Sequence, residues 1–162
     1  MQTFLPYASF TKTAEVLDNK RLNKQILECY QILKVLSSDD PHAGWRNHPA
    51  VKMWRGFEMG LYQYAMVMVA EANRRGIKTE NNVRNLEELN DRAYMDWGYG
   101  LPFWMDDKKI MAKVTTTHKA NLYRKDSIYY ADFVKAVVSK NNEPCCERCQ
   151  YYWVTHNTKE TV

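Results

Sequence analysis

The chain has 162 residues, 45% apolar and 26% charged, enough for one domain whose core buries roughly two-thirds of the surface exposed on unfolding. A net charge of +4 and a pI near 8.8 permit a polyanionic partner without requiring one. Met1-Gln2-Thr3-Phe4 lacks a basic and apolar leader pattern, and no apolar run approaches the roughly 18 residues of a membrane span. The expectation is therefore a cytoplasmic protein, monomeric and without membrane contact, its thiols reduced.

In chain order, residues 2–7 read as a short extended segment, because Pro6 bars a helix interior there. Ser9 or Thr11 can cap a first helix, with Glu15 near its early turns. The first strong helix is predicted from about Lys20 to Leu36, where Leu22, Ile26, Cys29, Leu33 and Leu36 recur at helical spacing. Ser37-Ser38-Asp39-Asp40-Pro41 breaks it. A second helix opens at Asn47-His48-Pro49, with Asn47 as N-cap and Pro49 in the first turn. It runs without interruption through Met53, Trp54, Phe57, Leu61, Tyr64, Met68 and Ala72 to Arg74, Arg75 and Gly76.

A short helix around Val83 to Asp91 follows, then an aromatic loop from Trp97 to Trp104 punctuated by Gly and Pro. Helices are predicted from about Asp106 to Tyr123 and from Ser127 to Val138. No strand pair stands out, and no linker or repeat divides the chain. The expected fold class is all-α: a single compact helical domain over 1–162, with a short extended N-terminal segment and aromatic-rich loops.

Three constellations carry usable chemistry. Arg21, Lys24, Gln25 and Glu28 lie three or four residues apart on one edge of the first long helix. A carboxylate beside two cations and an amide can move a proton or stabilise charge, or can be a solvated edge with weak ion pairs. Trp45, Asn47 and His48 sit at the mouth of the second helix, with Arg46, Lys52 and Arg55 close by. That end suits an anion or simple capping. His118 precedes Arg124 and Lys125, which combines an imidazole with two cations suited to phosphate. A structural histidine fits the same pattern.

Five Trp and eleven Tyr outnumber five Phe, and large rings with a polar atom suit site walls as well as cores. Cys145, Cys146 and Cys149, with His156, could contribute to a small structural zinc site. A single CxxC favours reduced, unliganded thiols, so no cofactor is expected.

Taken together, several blocks resemble a bacterial and phage family of pyrimidine-dimer DNA glycosylases, relatives of the small helical endonuclease V type. They are Gln2-Thr3-Phe4-Leu5-Pro6-Tyr7, then Val16-Leu17-Asp18 with Arg21-Leu22 and Lys24-Gln25, then the run from Trp45 through His48-Pro49 and Trp54 to Glu58. Later blocks are His118, the run Asn121 to Asp126, Tyr129-Tyr130, Phe133, and Tyr151 with Trp153. Residues 77–100 and the cysteine cluster are unmatched.

The resemblance implies a helical fold and chemistry at the glycosidic bond of a damaged or modified pyrimidine in DNA. In the endonuclease V relatives the N-terminal α-amine attacks the sugar C1′, forms an imine and cuts the strand by β-elimination, supported by a glutamate on the first long helix. That glutamate falls on Glu28 and the site's cation on Arg21. The relatives expose a small residue after Met1 is removed; Gln2 departs from this, and the amine expected here is that of Met1 itself.

Catalytic candidates are thus Glu28, Met1 and His118, with Arg21, Lys24, Gln25, Asn47, His48, Trp54, Arg124 and Lys125 as substrate contacts. A water-dependent route needs only Glu28 and its neighbours. A free modified nucleotide as substrate, and a non-catalytic module that binds nucleic acid or protein, stay open as alternatives.

Overall fold

The computed structural model describes residues 1–137 and 151–155. Among these are six α-helices, α1 (Phe10–Val16), α2 (Asn19–Leu36), α3 (Pro49–Trp54), α4 (Glu58–Arg74), α5 (Glu80–Ala93) and α6 (Lys108–Lys125). Three short 3₁₀ helices, Tyr94–Asp96, Phe103–Met105 and Ala131–Ala136, complete the described elements, which include no strand. The fold class is all-α.

The core forms where α2 lies against α4, with α1 packed on α4 and α5 on α2. Leu22, Ile26, Cys29, Ile32 and Leu33 face Leu61, Tyr64, Ala65, Met68 and Ala72, all fully buried. Ile32 takes the place in the buried stripe that the sequence pattern gives to Leu36, which is only half-buried. Ser9 caps α1 by accepting from the Lys12 N–H, and Asp18 caps α2 by accepting from the Arg21 N–H. At the other end of α4, Arg75 donates to the carbonyls of Leu17, Ala14 and Glu15, tying α4 to the α1–α2 connection. Glu71 holds that arginine through Nε at 2.7 Å.

The continuous helix expected from Pro49 to Gly76 is two helices. The break falls at Arg55-Gly56-Phe57, where Gly56 takes a left-handed φ of 84°. Glu58 explains why: its carboxylate accepts from the N–H of Gly56 and of Gly98, each at 2.8 Å. Apolar periodicity carries across the break and hides it. Asn47 is exposed and not the cap of α3; His48 is, its ring accepting from the Ala50 N–H at 3.1 Å.

The expected α-helix over Ser127–Val138 is also corrected. Residues 127–130 form a turn, with Asp126 accepting from the Tyr129 N–H, and residues 131–136 form a 3₁₀ helix. Tyr130 and Phe133, three apart, stack face to face with centroids 5.7 Å apart. A three-residue repeat eclipses such side chains, as a 3.6-residue repeat does not. Cys145, Cys146, Cys149 and His156 lie outside the described residues. Among the described residues no group of three or more His, Cys, Asp or Glu is arranged to hold a metal ion, and no helix is long and apolar enough to cross a membrane.

Candidate active site

The extended segment before α1 is fastened by four buried side chains from four helices. Gln25 of α2 accepts from the Phe4 N–H through Oε1 at 2.8 Å and donates through Nε2 to the Gln2 carbonyl at 3.0 Å. Trp54 of α3 donates through Nε1 to Thr3 Oγ1 at 3.0 Å. The Tyr64 hydroxyl of α4 lies 2.7 Å from the Phe4 carbonyl and 2.8 Å from Gln25 Oε1, and its one proton serves one of them at a time. His118 of α6 accepts from the Leu5 N–H through Nδ1 at 2.8 Å. Thr3, Phe4 and Leu5 are buried and Gln2 is half-buried, so at the buried partners each bond left unmade would strand a desolvated polar group, at about 1–3 kcal/mol. Together these bonds fix where residue 1 emerges.

It emerges into a cavity of about 420 Å³ lined by Met1, Gln2, Phe4, Lys20, Arg21, Lys24, Glu28, Lys125 and Tyr151. That volume lies in the range of small-ligand sites. Glu28 is the one carboxylate in the lining, and its residue is only 7% exposed. Its Oε2 accepts from Gln25 Nε2 at 3.2 Å, and Lys24 Nζ stands 3.7 Å from Oε1. Gln25 therefore touches both the N-terminal segment and the acid, which locks their relative positions.

Arg21 is aimed by Asp18, whose Oδ2 meets Nη1 at 2.6 Å, and its guanidinium lies over the Tyr130 ring. Tyr130 donates to the same Asp18 oxygen at 2.6 Å. Burial works to raise the Asp18 pKa, but the bonds from Tyr130 and Arg21 outweigh it and hold the carboxyl below its ordinary value. The Tyr151 phenol, on the cavity wall, is pushed up to about 12 by burial and the Glu28 charge, against the pull of Arg21 and Arg124. It keeps its proton at neutral pH.

Of the residues the sequence singles out, Met1, Arg21, Lys24, Glu28 and Lys125 meet at this cavity. Gln25, Trp54 and His118 stand behind it as fasteners of the N-terminal segment. Trp54 is fully buried and offers no surface to a substrate. His118 is fully buried too, and burial depresses its pKa to about 3. With Nδ1 accepting, the proton of the neutral ring sits on Nε2, which has no hydrogen-bond partner. Such a ring holds backbone in place and is a poor proton shuttle at neutral pH.

His48 flanks the site. Burial, and after it the positive charge of the N-terminus, lowers its pKa. Asn47 is exposed and outside the lining, and Arg124 neighbours the lining residue Lys125. Two of the three cations proposed to serve an anion at α3 are engaged in the loop: Arg46 donates to the Ser38 carbonyl and Arg55 to the Arg46 carbonyl.

Sequence reading missed Lys20, which lies four residues before Lys24 and so on the same helical face. The bonding roles of Thr3 and Tyr64 were also missed, because each looks like ordinary core in the pattern.

An all-α scaffold with one buried acid, a fixed amino terminus and four side-chain cations around a nucleotide-sized cavity defines a site for an anionic substrate. The family model of pyrimidine dimer DNA glycosylases matches residues 1–85, and the chain belongs to that family. It is thus an enzyme of the DNA glycosylase class, with DNA as substrate. The match includes the fastened segment, α2, α3 and α4, and ends before α6, so Lys125, His118 and Tyr151 lie outside it. Comparison with curated proteins and with solved structures gave no significant match.

Proposed function

We propose that this enzyme excises a damaged pyrimidine through the Met1 amine and Glu28. The observation that carries the reading is the convergence of residue 1 and Glu28 on one cavity, with Gln25 bonded to both sides. The amine nitrogen attacks C1′ of the damaged nucleotide as the C1′–N bond breaks, and the departing base takes up the electron pair and a proton. Loss of a proton from nitrogen and opening of the sugar leave an imine. Glu28 then removes a C2′ proton, and the electron pair expels the 3′ phosphate, cutting the strand. Hydrolysis of the imine frees the amine. Lys20, Arg21 and Lys125 supply positive charge for the flanking phosphates.

Borohydride tests this reading. With dimer-bearing DNA, reduction should yield a covalent adduct that maps to residue 1, and an extension placed before Met1 should abolish both adduct and turnover. Cleavage of the glycosidic bond to an abasic sugar without an adduct, persisting in the extended protein, would instead assign the attack to water held by Glu28.

A further inference from the structure

Trp45 combines two features that rarely coincide. It is 63% exposed, and it holds a left-handed backbone conformation, φ 70°, the one non-glycine residue among those described with a positive φ. That region is sterically costly for a residue with a Cβ, and solvent offers nothing in return for an exposed indole. The surrounding loop is braced rather than slack. The His48 N–H donates to the Trp45 carbonyl at 2.8 Å, Arg46 donates to the Ser38 carbonyl at 3.1 Å, and Arg55 donates to the Arg46 carbonyl at 2.7 Å.

The indole lies outside the cavity lining and is joined to it through two intervening rings, His48 and Trp153. Its centroid is 5.6 Å from the His48 ring; His48 is 6.2 Å from Trp153, and Trp153 is 5.6 Å from Tyr151 on the cavity wall. The N-terminal charge is felt at His48, one ring away from Trp45. A continuous aromatic row therefore runs from the buried wall of a basic cavity out to one projecting ring.

We infer that Trp45 is a wedge that enters the base stack of duplex DNA and fills the gap left when a nucleotide turns out toward the cavity. This rests on the glycosylase reading and extends it. A target atom inside a duplex is unreachable until a nucleotide leaves the stack, and a rigid planar ring lowers the cost of keeping the gap open. The alternative role of a rim stacker on an already single-stranded base predicts a different dependence on the substrate.

The experiment compares wild type, Trp45→Ala and Trp45→Phe on one dimer-bearing oligonucleotide, presented as duplex and as single strand. Trp45→Ala should lose about tenfold to a hundredfold of kcat/KM on the duplex, the usual worth of one base–aromatic stack. On the single strand it should stay within about twofold of wild type, and Trp45→Phe should recover most of the duplex rate. In the Glu28→Gln background, a fluorescent purine analogue beside the dimer should brighten on binding, and adding Trp45→Ala should remove that rise.

Equal duplex activity in wild type and Trp45→Ala overturns the wedge alone. Equal loss on both substrates overturns it too, because the defect then lies in folding, in the cavity or in stacking on a single strand. Wild-type protein inactive on both substrates overturns the glycosylase reading and the wedge with it.

Discussion

Leu5 gives its backbone N–H to Nδ1 of His118, a bond of 2.8 Å between residues 113 positions apart. The bond requires the neutral ring, and burial depresses the His118 pKa to about 3, well below the usual 6.5. Between those values the unfolded chain binds a proton that the folded chain refuses. The stabilisation is therefore complete above about pH 6.5 and is lost as pH falls toward 3. The expected outcome is a wild-type stability that falls by up to about 1.4 kcal/mol per pH unit through this window from His118 alone. His118→Asn keeps an acceptor for Leu5 without a titrating group, so its stability should fall less steeply. Parallel slopes in urea titrations at pH 6.5, 5.5 and 4.5 would show that His118 does not set this dependence.

Gln25 is the joint between the N-terminal segment and Glu28. Gln25→Leu deletes both bonds to residues 2–4 and the bond to Glu28, leaving buried partners unpaired. A displacement of about 1 Å between reacting groups costs on the order of a hundredfold in rate. The variant should fall in kcat by that order while binding dimer-bearing DNA with little change, since the cations are untouched. A kcat near wild type would mean that residue 1 and Glu28 need no fixed spacing.

The helical class, the span of α2 and the edge carrying Arg21, Lys24 and Glu28 were legible from apolar periodicity and spacing. The break between α3 and α4 was not, because the pattern runs through Gly56 unbroken. What sets that break is a carboxylate answering an N–H forty residues away in the 97–100 loop. His118 looked like a candidate acid–base because its imidazole is visible in sequence and its burial is not. Trp54 misled in the same way: a large ring with a polar atom suits a site wall, whereas the fold turns it inward to Thr3. Long-range hydrogen bonds leave no local signal, and they decide which polar residues serve the backbone and which face the cavity.

Gly98 is where that break is most exposed to mutation. A Cβ at this position would stand 1.9 Å from the Gly56 carbonyl oxygen, and the obstacle is backbone that cannot rotate away. Gly98→Ala must push the 97–100 loop off Gly56 and loosen the Gly98 N–H from Glu58. The expected cost is about 3 kcal/mol, at the upper end for overpacking. In a chain of this size that corresponds to a fall in Tm of about 6–12 °C by calorimetry. Gly44→Ala, where a Cβ meets nothing within 4 Å, is the control and should melt close to wild type.

The basic wall of the cavity should make DNA binding salt-dependent. Lys20 and Lys125 line it from α2 and from the end of α6, and both side chains are exposed. Lys24 stands beside Glu28, and Arg21 is bonded to Asp18, so replacing either would disturb the acid or its neighbours as well as the charge. Lys20→Ala with Lys125→Ala is the cleaner pair. Removing one lysine–phosphate interaction should reduce the slope of log K against log salt by about one unit, so the double variant should lie roughly two units flatter. Affinity should weaken most at low salt and converge with wild type as salt rises. Turnover at saturating DNA should hold near wild type, because neither lysine reaches the reacting bond in the proposed mechanism. An unchanged slope would put the phosphates elsewhere, and a collapse of turnover under saturation would place one of these lysines in the chemistry itself.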